Sequence, residues 1–234
     1  MLKACDMTIA KLTLGGTPKI VLSVKDDLWL SQRNKNRLFD LVEFRIDLVS
    51  SLALKAILQT AVPTILTIRS KKEGGNWTDS EPHRLLLYQD LIPHFSAVDI
   101  ELSSNTILDN VVENAHDEGK KVIVSYHNFD KTPKVSELYK ILKKAKKTGA
   151  DIVKVAAFAK NHQDIQTLAR FTVENADQHI VTIAMGELGK LSRLFFPALG
   201  SLLIYASLSA KDKTAPGQMD CKELSRLVKK FYPI

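Results

Sequence analysis

One pattern constrains this chain more than any other: eight short apolar runs of strand character alternate with stretches of helical periodicity. The runs are Lys19–Val24, Leu41–Leu48, Thr64–Ser70, Ala97–Leu102, Lys121–His127, Asp151–Val155, His179–Met185 and Leu202–Ser207. Between them, Ile107, Leu108, Val111, Val112 and Ala115 share one helical stripe that stops at Gly119. Val135, Leu138, Ile141, Leu142 and Ala145 form another before Gly149, and Leu224, Leu227, Val228 and Phe231 a third near the end. Leu86, Leu87, Asp90 and Leu91 predict a helix before Pro93, and Ile165, Leu168 and Val173 one more. Eight strands alternating with helices in 234 residues predict an α/β protein, a (β/α)8 barrel in a single domain over 1–234. A doubly wound open sheet is the alternative, although no strand runs into a Gly-x-Gly-x-x-Gly turn. Up to Pro18, alternating apolar residues and Gly15-Gly16 predict a short hairpin capping the bottom of the barrel.

Composition narrows the partners. At 45% hydrophobic and 25% charged residues, the chain matches an ordinary globular protein. Its apolar runs fall short of a bilayer span, and Met1-Leu-Lys-Ala does not open a secretory leader, so no membrane partner is expected. Cys5 and Cys221 make neither a disulfide framework nor a metal-ligand spacing, which points to a reducing cytoplasm. The net charge of +7 raises nucleic acid as a partner. Much of it sits in Lys140, Lys143, Lys144, Lys146 and Lys147, the polar side of one predicted helix, and no aromatics interleave with them. A solvated helix face accounts for those lysines, with attraction of an anionic substrate second, and no nucleic-acid partner is expected.

Function is to be sought where the strands stop being apolar. Glu43, Arg45 and Asp47 share one parity, as do Thr67 and Arg69, Asp99 and Glu101, and Ser125 and His127. Lys154 follows on the sixth strand, on the face of Ile152 and opposite Val153 and Val155. Each set lies toward the C-terminal end of its strand, the end that carries barrel active sites. Buried charges must be paired, so a structural ion-pair cluster is the leading account of Asp47, Asp99 and Glu101. Lys154 is different. An amine in an apolar pocket has its charged form disfavoured and becomes a nucleophile toward carbonyl carbon, and His127 on the neighbouring strand can move the protons. Arg45 and Arg69 are expected to disfavour the ammonium further. The other five histidines, His83, His94, His116, His162 and His179, have no zinc-type spacing, so no metal is expected.

In order along the chain stand Thr17-Pro-Lys-Ile-Val-Leu-Ser23, Glu43-Phe-Arg45-Ile-Asp47, Thr67-Ile-Arg69 with Glu73-Gly-Gly75, and Asp99-Ile-Glu101. They are followed by Ser125-Tyr-His127-Asn-Phe129, Asp151-Ile-Val-Lys154-Val-Ala156, Met185-Gly-Glu-Leu-Gly189-Lys-Leu-Ser-Arg193 and Ala215-Pro-Gly-Gln218. In this set the sequence resembles type I 3-dehydroquinate dehydratase, the imine-forming enzyme of the shikimate pathway. The resemblance implies a barrel without metal or cofactor, acting on 3-dehydroquinate. It places the catalytic set on Lys154 (imine), His127 (general acid and base) and Glu73 (orienting the histidine). It places substrate binding on Arg193, Gln218 and Thr214 for the carboxylate, on Glu43, Arg45 and Arg69 for the hydroxyls, with Ser23 lining the site and Met185 and Tyr205 against the ring. Thr214 stands where serine is common in the family and keeps the hydroxyl, while the loop from Ser209 to Thr214 is slightly long. Phe44 is expected to serve packing alone. A homodimer is open on the resemblance, with no patch in the sequence that favours it. A class I aldolase, with the same lysine chemistry, and a basic nucleic-acid-binding domain are the rival readings.

Overall fold

In the computed structural model, residues 7–25, 38–48 and 60–232 are described. A hairpin comes first, strand β1 (Thr8–Ile9) pairing antiparallel with β2 (Leu12–Thr13). The apolar runs then become parallel strands: β3 (Lys19–Val24), β4 (Leu41–Arg45), β5 (Thr64–Thr67), β6 (Ala97–Glu101) and β7 (Lys121–Asn128). They continue as β8 (Ile152–Phe158), β9 (Ile180–Met185) and β10 (Leu203–Ser207), with a short β11 (Met219–Asp220). From β3 to β9 each strand pairs with the next, and β10 returns to pair with β3. At the remaining seam, Leu202 N–H donates to the Ile180 carbonyl at 2.9 Å and Thr182 N–H to Ser201 Oγ at 3.0 Å. These bonds close the ring.

Helices α1 (Glu81–Leu91), α2 (Leu108–Asp117), α3 (Val135–Lys147) and α4 (His162–Glu174) fill successive connections from β5 to β9. A short α5 (Ser192–Phe195) precedes β10, and α6 (Cys221–Phe231) follows β11. Ser80 caps α1 and Asn161 caps α4 through backbone N–H groups of their first turns. Gly119 and Gly149, with φ of +67° and +92°, end α2 and α3 where an L side chain would be strained.

Strand periodicity divides the core in two. Val42, Phe44, Leu66, Val98, Val122, Val124, Val153 and Val155 face outward and pack against the helices. Val21, Leu41, Ile65, Ala97, Ile123, Ile152, Val181 and Leu203 face inward, in one cluster with Met7, Ile9 and Leu14 of the hairpin segment. All these inward residues sit in the first half of their strands, so the hairpin plugs the N-terminal end of the barrel, as expected. Full burial of Ile9 and Leu14 stabilises the plug by roughly 1.5–3 kcal/mol each.

Several expected helix faces shift. Leu86, Val173 and Phe231 are 59%, 56% and 61% exposed, whereas Arg84 and Tyr88 on α1 and Phe171 and Thr172 on α4 are buried. Arg84 turns inward because Glu101 on β6 offers it a carboxylate at 2.7 Å, and Tyr88 because the Asp99 carbonyl accepts its hydroxyl at 3.0 Å. The expected end of β4, residues 46–48, forms a turn, that of β5, residues 68–70, lies outside the strand with Ser70 in an isolated bridge to Trp77, and β8 runs three residues past Val155, to Phe158. Phe44 does pack outward, edge-on to Phe95 with ring centroids 5.8 Å apart. On α3, Lys140, Lys143, Lys144 and Lys147 are exposed, while Lys146 reaches the Asp151 carbonyl. Among the described residues no helix is long and apolar enough to cross a membrane. Cys221 is a buried free thiol, and Cys5 lies outside the described residues.

Candidate active site

Two residues beyond the plugged layer, the same inward parity turns polar. Val21 leads to Ser23, Leu41 to Glu43 and Arg45, and Ile65 to Thr67. Ala97 leads to Asp99 and Glu101, Ile123 to Ser125 and His127, Ile152 to Lys154 and Leu203 to Tyr205. Ser125 stands level with Glu101 on one side and Lys154 on the other. Side chains that a strand projects inward at equal height converge on the barrel axis, so these groups must satisfy one another there.

They do so as one network. The Lys154 amine, on a residue only 3% exposed, donates to Asp99 Oδ2, lies 3.8 Å from Glu43 Oε1 and sits 4.4 Å from the centroid of the Tyr205 ring. Asp99 Oδ1 accepts from Arg69 and from Ser125 Oγ, each at 2.6 Å. Burial pushes the Asp99 carboxyl up, but Arg69 and Lys154 outweigh it and hold it well below the usual carboxylate range. Glu43 accepts from Ser23 Oγ at 2.6 Å and Thr67 Oγ1 at 3.0 Å. Arg45 makes a forked pair with Asp47 at 2.9 and 2.8 Å, and Glu101 joins Arg69 to Arg84.

This corrects two expectations. Lys154 lies third in a seven-residue strand rather than near its end. Its charged contacts are carboxylates, since the guanidinium of Arg45 is taken by Asp47 and that of Arg69 by Asp99 and Glu101. Asp99, read from sequence as a structural ion-pair member, touches the amine itself. Asp47 and Glu101 are each held in ion pairs with arginine, Asp47 also accepting from the backbone N–H groups of Arg69 and Asn76.

His127 is fixed from behind. Glu73, at the end of a single 3-10 turn (Lys71–Glu73), accepts the His127 backbone N–H at 2.9 Å and faces Nδ1 at 3.0 Å, both on Oε2. Burial raises the Glu73 pKa, and the Ser103 hydroxyl, donating to Oε1 at 2.5 Å, works against that rise. For His127, burial disfavours the imidazolium and the positive charges of Arg69 and Lys154 disfavour it further, so its pKa falls well below the ordinary value. At neutral pH the ring is a neutral imidazole. With Nδ1–H directed to Glu73, Nε2 is left as the acceptor.

Among the described residues, Arg193 on α5 has no carboxylate partner. Its guanidinium donates to backbone carbonyls only, those of Gly217 at 2.9 Å, Tyr205 at 3.2 Å and Pro216 at 3.3 Å. Burial alone pulls its pKa down to about 10, so it stays charged at neutral pH without a counter-ion. The loop after β10 lies against it. Gly217, at φ +73°, passes so close to Gly186 that a Cβ would stand 2.3 Å from the Gly186 carbonyl oxygen, which excludes any other residue. Gln218 Oε1 accepts from Thr214 N–H at 2.8 Å and from its hydroxyl at 3.2 Å, holding the loop in over the mouth. Earlier in the loop, Ser209 Oγ donates to Asp212 Oδ2 at 2.5 Å.

Ser23, Glu43, Arg45, Arg69, Glu73, His127, Lys154, Met185, Arg193, Tyr205, Thr214 and Gln218, the residues to which the resemblance gives roles, all line one cavity at the C-terminal mouth. Gly74, Phe129, Ala156, Ile183 and Ala215 complete its wall without having been foreseen. Parity could have found Ala156 and Ile183, whereas Phe129 enters by stacking on His127, rings 6.4 Å apart. Among the described residues no cluster of three or more His, Cys, Asp or Glu is arranged to hold a metal ion.

Comparison with known proteins agrees with this geometry. The family model described as type I 3-dehydroquinase matches residues 21–232. A 3-dehydroquinate dehydratase of Methanococcus maripaludis is 39% identical over 193 residues, covering 81% of this chain and 87% of the relative. One from a Hydrogenobaculum species is 35% identical over 222 residues, 92% of this chain and 99% of its own. Among solved structures, the type I enzyme of Clostridium difficile superposes with a TM-score of 0.85 at 28% identity over 97% of both chains. That of Aquifex aeolicus does so with 0.79 at 33% identity, over 92% of this chain and 100% of that one. The chain belongs to the type I 3-dehydroquinase family, hydro-lyases that dehydrate 3-dehydroquinate through a covalent lysine imine without a cofactor.

Proposed function

We propose that Lys154 is the imine-forming amine of this chain and His127 its general acid and base, in the syn dehydration of 3-dehydroquinate to 3-dehydroshikimate. The observation that carries this reading is a buried amine sharing one cavity with a neutral imidazole and an arginine whose partners among the described residues are backbone carbonyls. Arg193 takes the substrate carboxylate, helped by Gln218 and Thr214, and so sets the ring with its ketone toward Lys154. Glu43, Arg45 and Arg69 hold the ring hydroxyls, Ser23 lines the pocket, and Met185 and Tyr205 pack on the ring.

The steps follow from these positions. Unprotonated Lys154 attacks the ketone carbon, and its N–H proton passes to the carbonyl oxygen by way of His127. The carbinolamine, taking up one further proton from solvent through His127, loses water to form the iminium; that proton is released when the product iminium is hydrolysed. The iminium is an electron sink, so His127 Nε2 can take a proton from the adjacent carbon, giving an enamine. Electrons returning from the enamine nitrogen expel the neighbouring hydroxyl, which leaves as water with the proton His127 holds. Hydrolysis of the conjugated iminium frees the product and restores the amine. Glu73 does not touch substrate; it keeps the proton on Nδ1 and thereby Nε2 basic. The loop from Thr214 to Gln218 covers the ring while the imine exists.

Borohydride added with 3-dehydroquinate should leave a reduced adduct on the peptide containing Lys154. His127→Ala should slow turnover by about 100- to 10,000-fold, the usual yield of a general acid–base. A missing mass gain on that peptide rejects the imine assignment, and unchanged turnover in the variant rejects the base. Family membership leaves no place for the aldolase and nucleic-acid readings. We further propose one catalytic domain acting as a cytoplasmic homodimer. The family resemblance supports the dimer and the sparse cysteines support a reducing compartment, and light scattering giving twice 26.1 kDa is the expected result.

A further inference from the structure

Glu73 performs its task only as a carboxylate. Protonated, it would accept the Nδ1–H of His127 poorly, and the imidazole would lose its fixed tautomer. Yet Glu73 is only 6% exposed, and burial alone drives it toward the neutral acid. Arg69 helps hold the charge, but it is committed to Asp99, Glu101 and Ser125. The two oxygens of Glu73 are served differently. Oε2 meets the backbone N–H and ring Nδ1 of His127, while Oε1 receives the hydroxyl of Ser103 at 2.5 Å. That distance lies in the range of hydroxyl-to-carboxylate bonds, which are the strong ones.

Ser103 stands outside the substrate cavity. It lies two residues beyond Glu101 in the loop after β6, is itself exposed, and lines a separate polar cleft with Ser70, Lys71 and Trp77. Nothing in the chemistry of the ring requires it. We infer that Ser103 is a positioning residue for the dehydration: its hydroxyl keeps Glu73 in the form that orients His127, three links from the substrate. The inference rests on the reading of Glu73 and His127 given above and extends it by one residue.

Ser103→Ala and Ser103→Thr, compared with Glu73→Gln, test it through pH profiles of kcat and KM. Loss of one hydrogen bond to a charged group corresponds to about tenfold in kcat. Ser103→Ala should therefore lower kcat about tenfold with KM within about twofold, because no substrate contact is lost. Its acid limb in kcat should move to higher pH, because a Glu73 without its donor takes up a proton more readily. Ser103→Thr, which keeps the hydroxyl, should restore both the rate and the limb. Ser103→Ala with wild-type kcat and an unmoved limb overturns the inference. So does a lower kcat accompanied by a lower melting temperature and no movement of the limb, the signature of a merely structural role. Wild-type turnover in Glu73→Gln would remove the reading of Glu73 and the inference with it, whereas a slow Glu73→Gln beside a normal Ser103→Ala would remove the inference alone.

Discussion

Arg193 offers the sharpest quantitative expectation, because its resting state is electrostatically incomplete. A guanidinium that ordinarily titrates near 12.5 and is pulled down to about 10 carries a burial cost of roughly 3 kcal/mol at neutral pH, at about 1.4 kcal/mol for each tenfold change in proton affinity. The sign is set by linkage. The cost is fully present below pH 10 and is relieved only as pH rises through that value, so no physiological titration removes it. An anion can. A carboxylate placed on the two free edges of the fork would replace lost hydration with two parallel charge-assisted bonds. Arg193→Lys keeps the charge but offers a single point donor, and cannot also hold the Gly217, Tyr205 and Pro216 carbonyls. Losing one such bond, worth about 1.5–3 kcal/mol, should raise KM about 10- to 100-fold. It should leave kcat within about threefold, since in the proposed mechanism the ketone reacts at Lys154 and not at the carboxylate. Thermal shift with 3-dehydroshikimate gives an independent reading. At about 100 times Kd a ligand adds about 2.7 kcal/mol of stability, which is roughly 5–10 °C for a chain of this size. A variant bound 100-fold more weakly should gain only about 1–2 °C at the same concentration. An unchanged KM with the full thermal shift would show that the carboxylate sits elsewhere. A fall in kcat with KM unmoved would place the arginine in the transition state instead.

Two further expectations concern charge. Isotope-edited NMR should find His127 neutral at pH 6, where an ordinary imidazole is more than half protonated; titration at or above 6.5 would refute the assigned effect of burial, Arg69 and Lys154. Because the unfolded chain takes that proton first, the same shift makes the fold lose stability as pH drops below about 6.5. Arg84→Met leaves Glu101 with Arg69, at 3.3 Å, and the Ser70 backbone N–H, at 2.8 Å, and strips Ile68 O of its donor from Arg84. Breaking a buried pair costs about 3–5 kcal/mol, so melting should fall by roughly 10 °C, and a fall under about 2 °C would show that the pair adds little.

What could be read from sequence was whatever depends on period. Strand alternation and helix stripes at Val111 and Leu138 follow from local spacing, and those elements form as expected. The misplaced faces are the ones where a polar residue is the buried one. Arg84 and Tyr88 look like the solvent side of an amphipathic helix, and only the carboxylate and carbonyl of β6 across the way make burial favourable. A hydrophobicity pattern records the apolar residues and cannot record a partner on another element.

The same limit shaped what could be known of the site. Parity alone put Glu43, Asp99, Ser125 and Lys154 on one inner face, and the apolar floor formed by Met7, Ile9 and Leu14 explains why their chemistry is confined to the upper half of the barrel. Parity says which residues look inward, but not which pairs meet. Asp99 and Lys154 lie on β6 and β8 with a whole strand between them, and they touch because side chains converge across a closed ring rather than along a ladder. That convergence commits the two arginines to carboxylates rather than to the amine. The guanidinium groups of Arg45 and Arg69 are matched by carboxylates, and among the described residues the one cation in the cavity bonded only to neutral carbonyls is Arg193, 39 residues along the chain from the amine. On the proposed reading, a barrel that pairs its own charges around Lys154 and leaves Arg193 to backbone carbonyls has, in that imbalance, selected an anionic substrate and the way round it must enter.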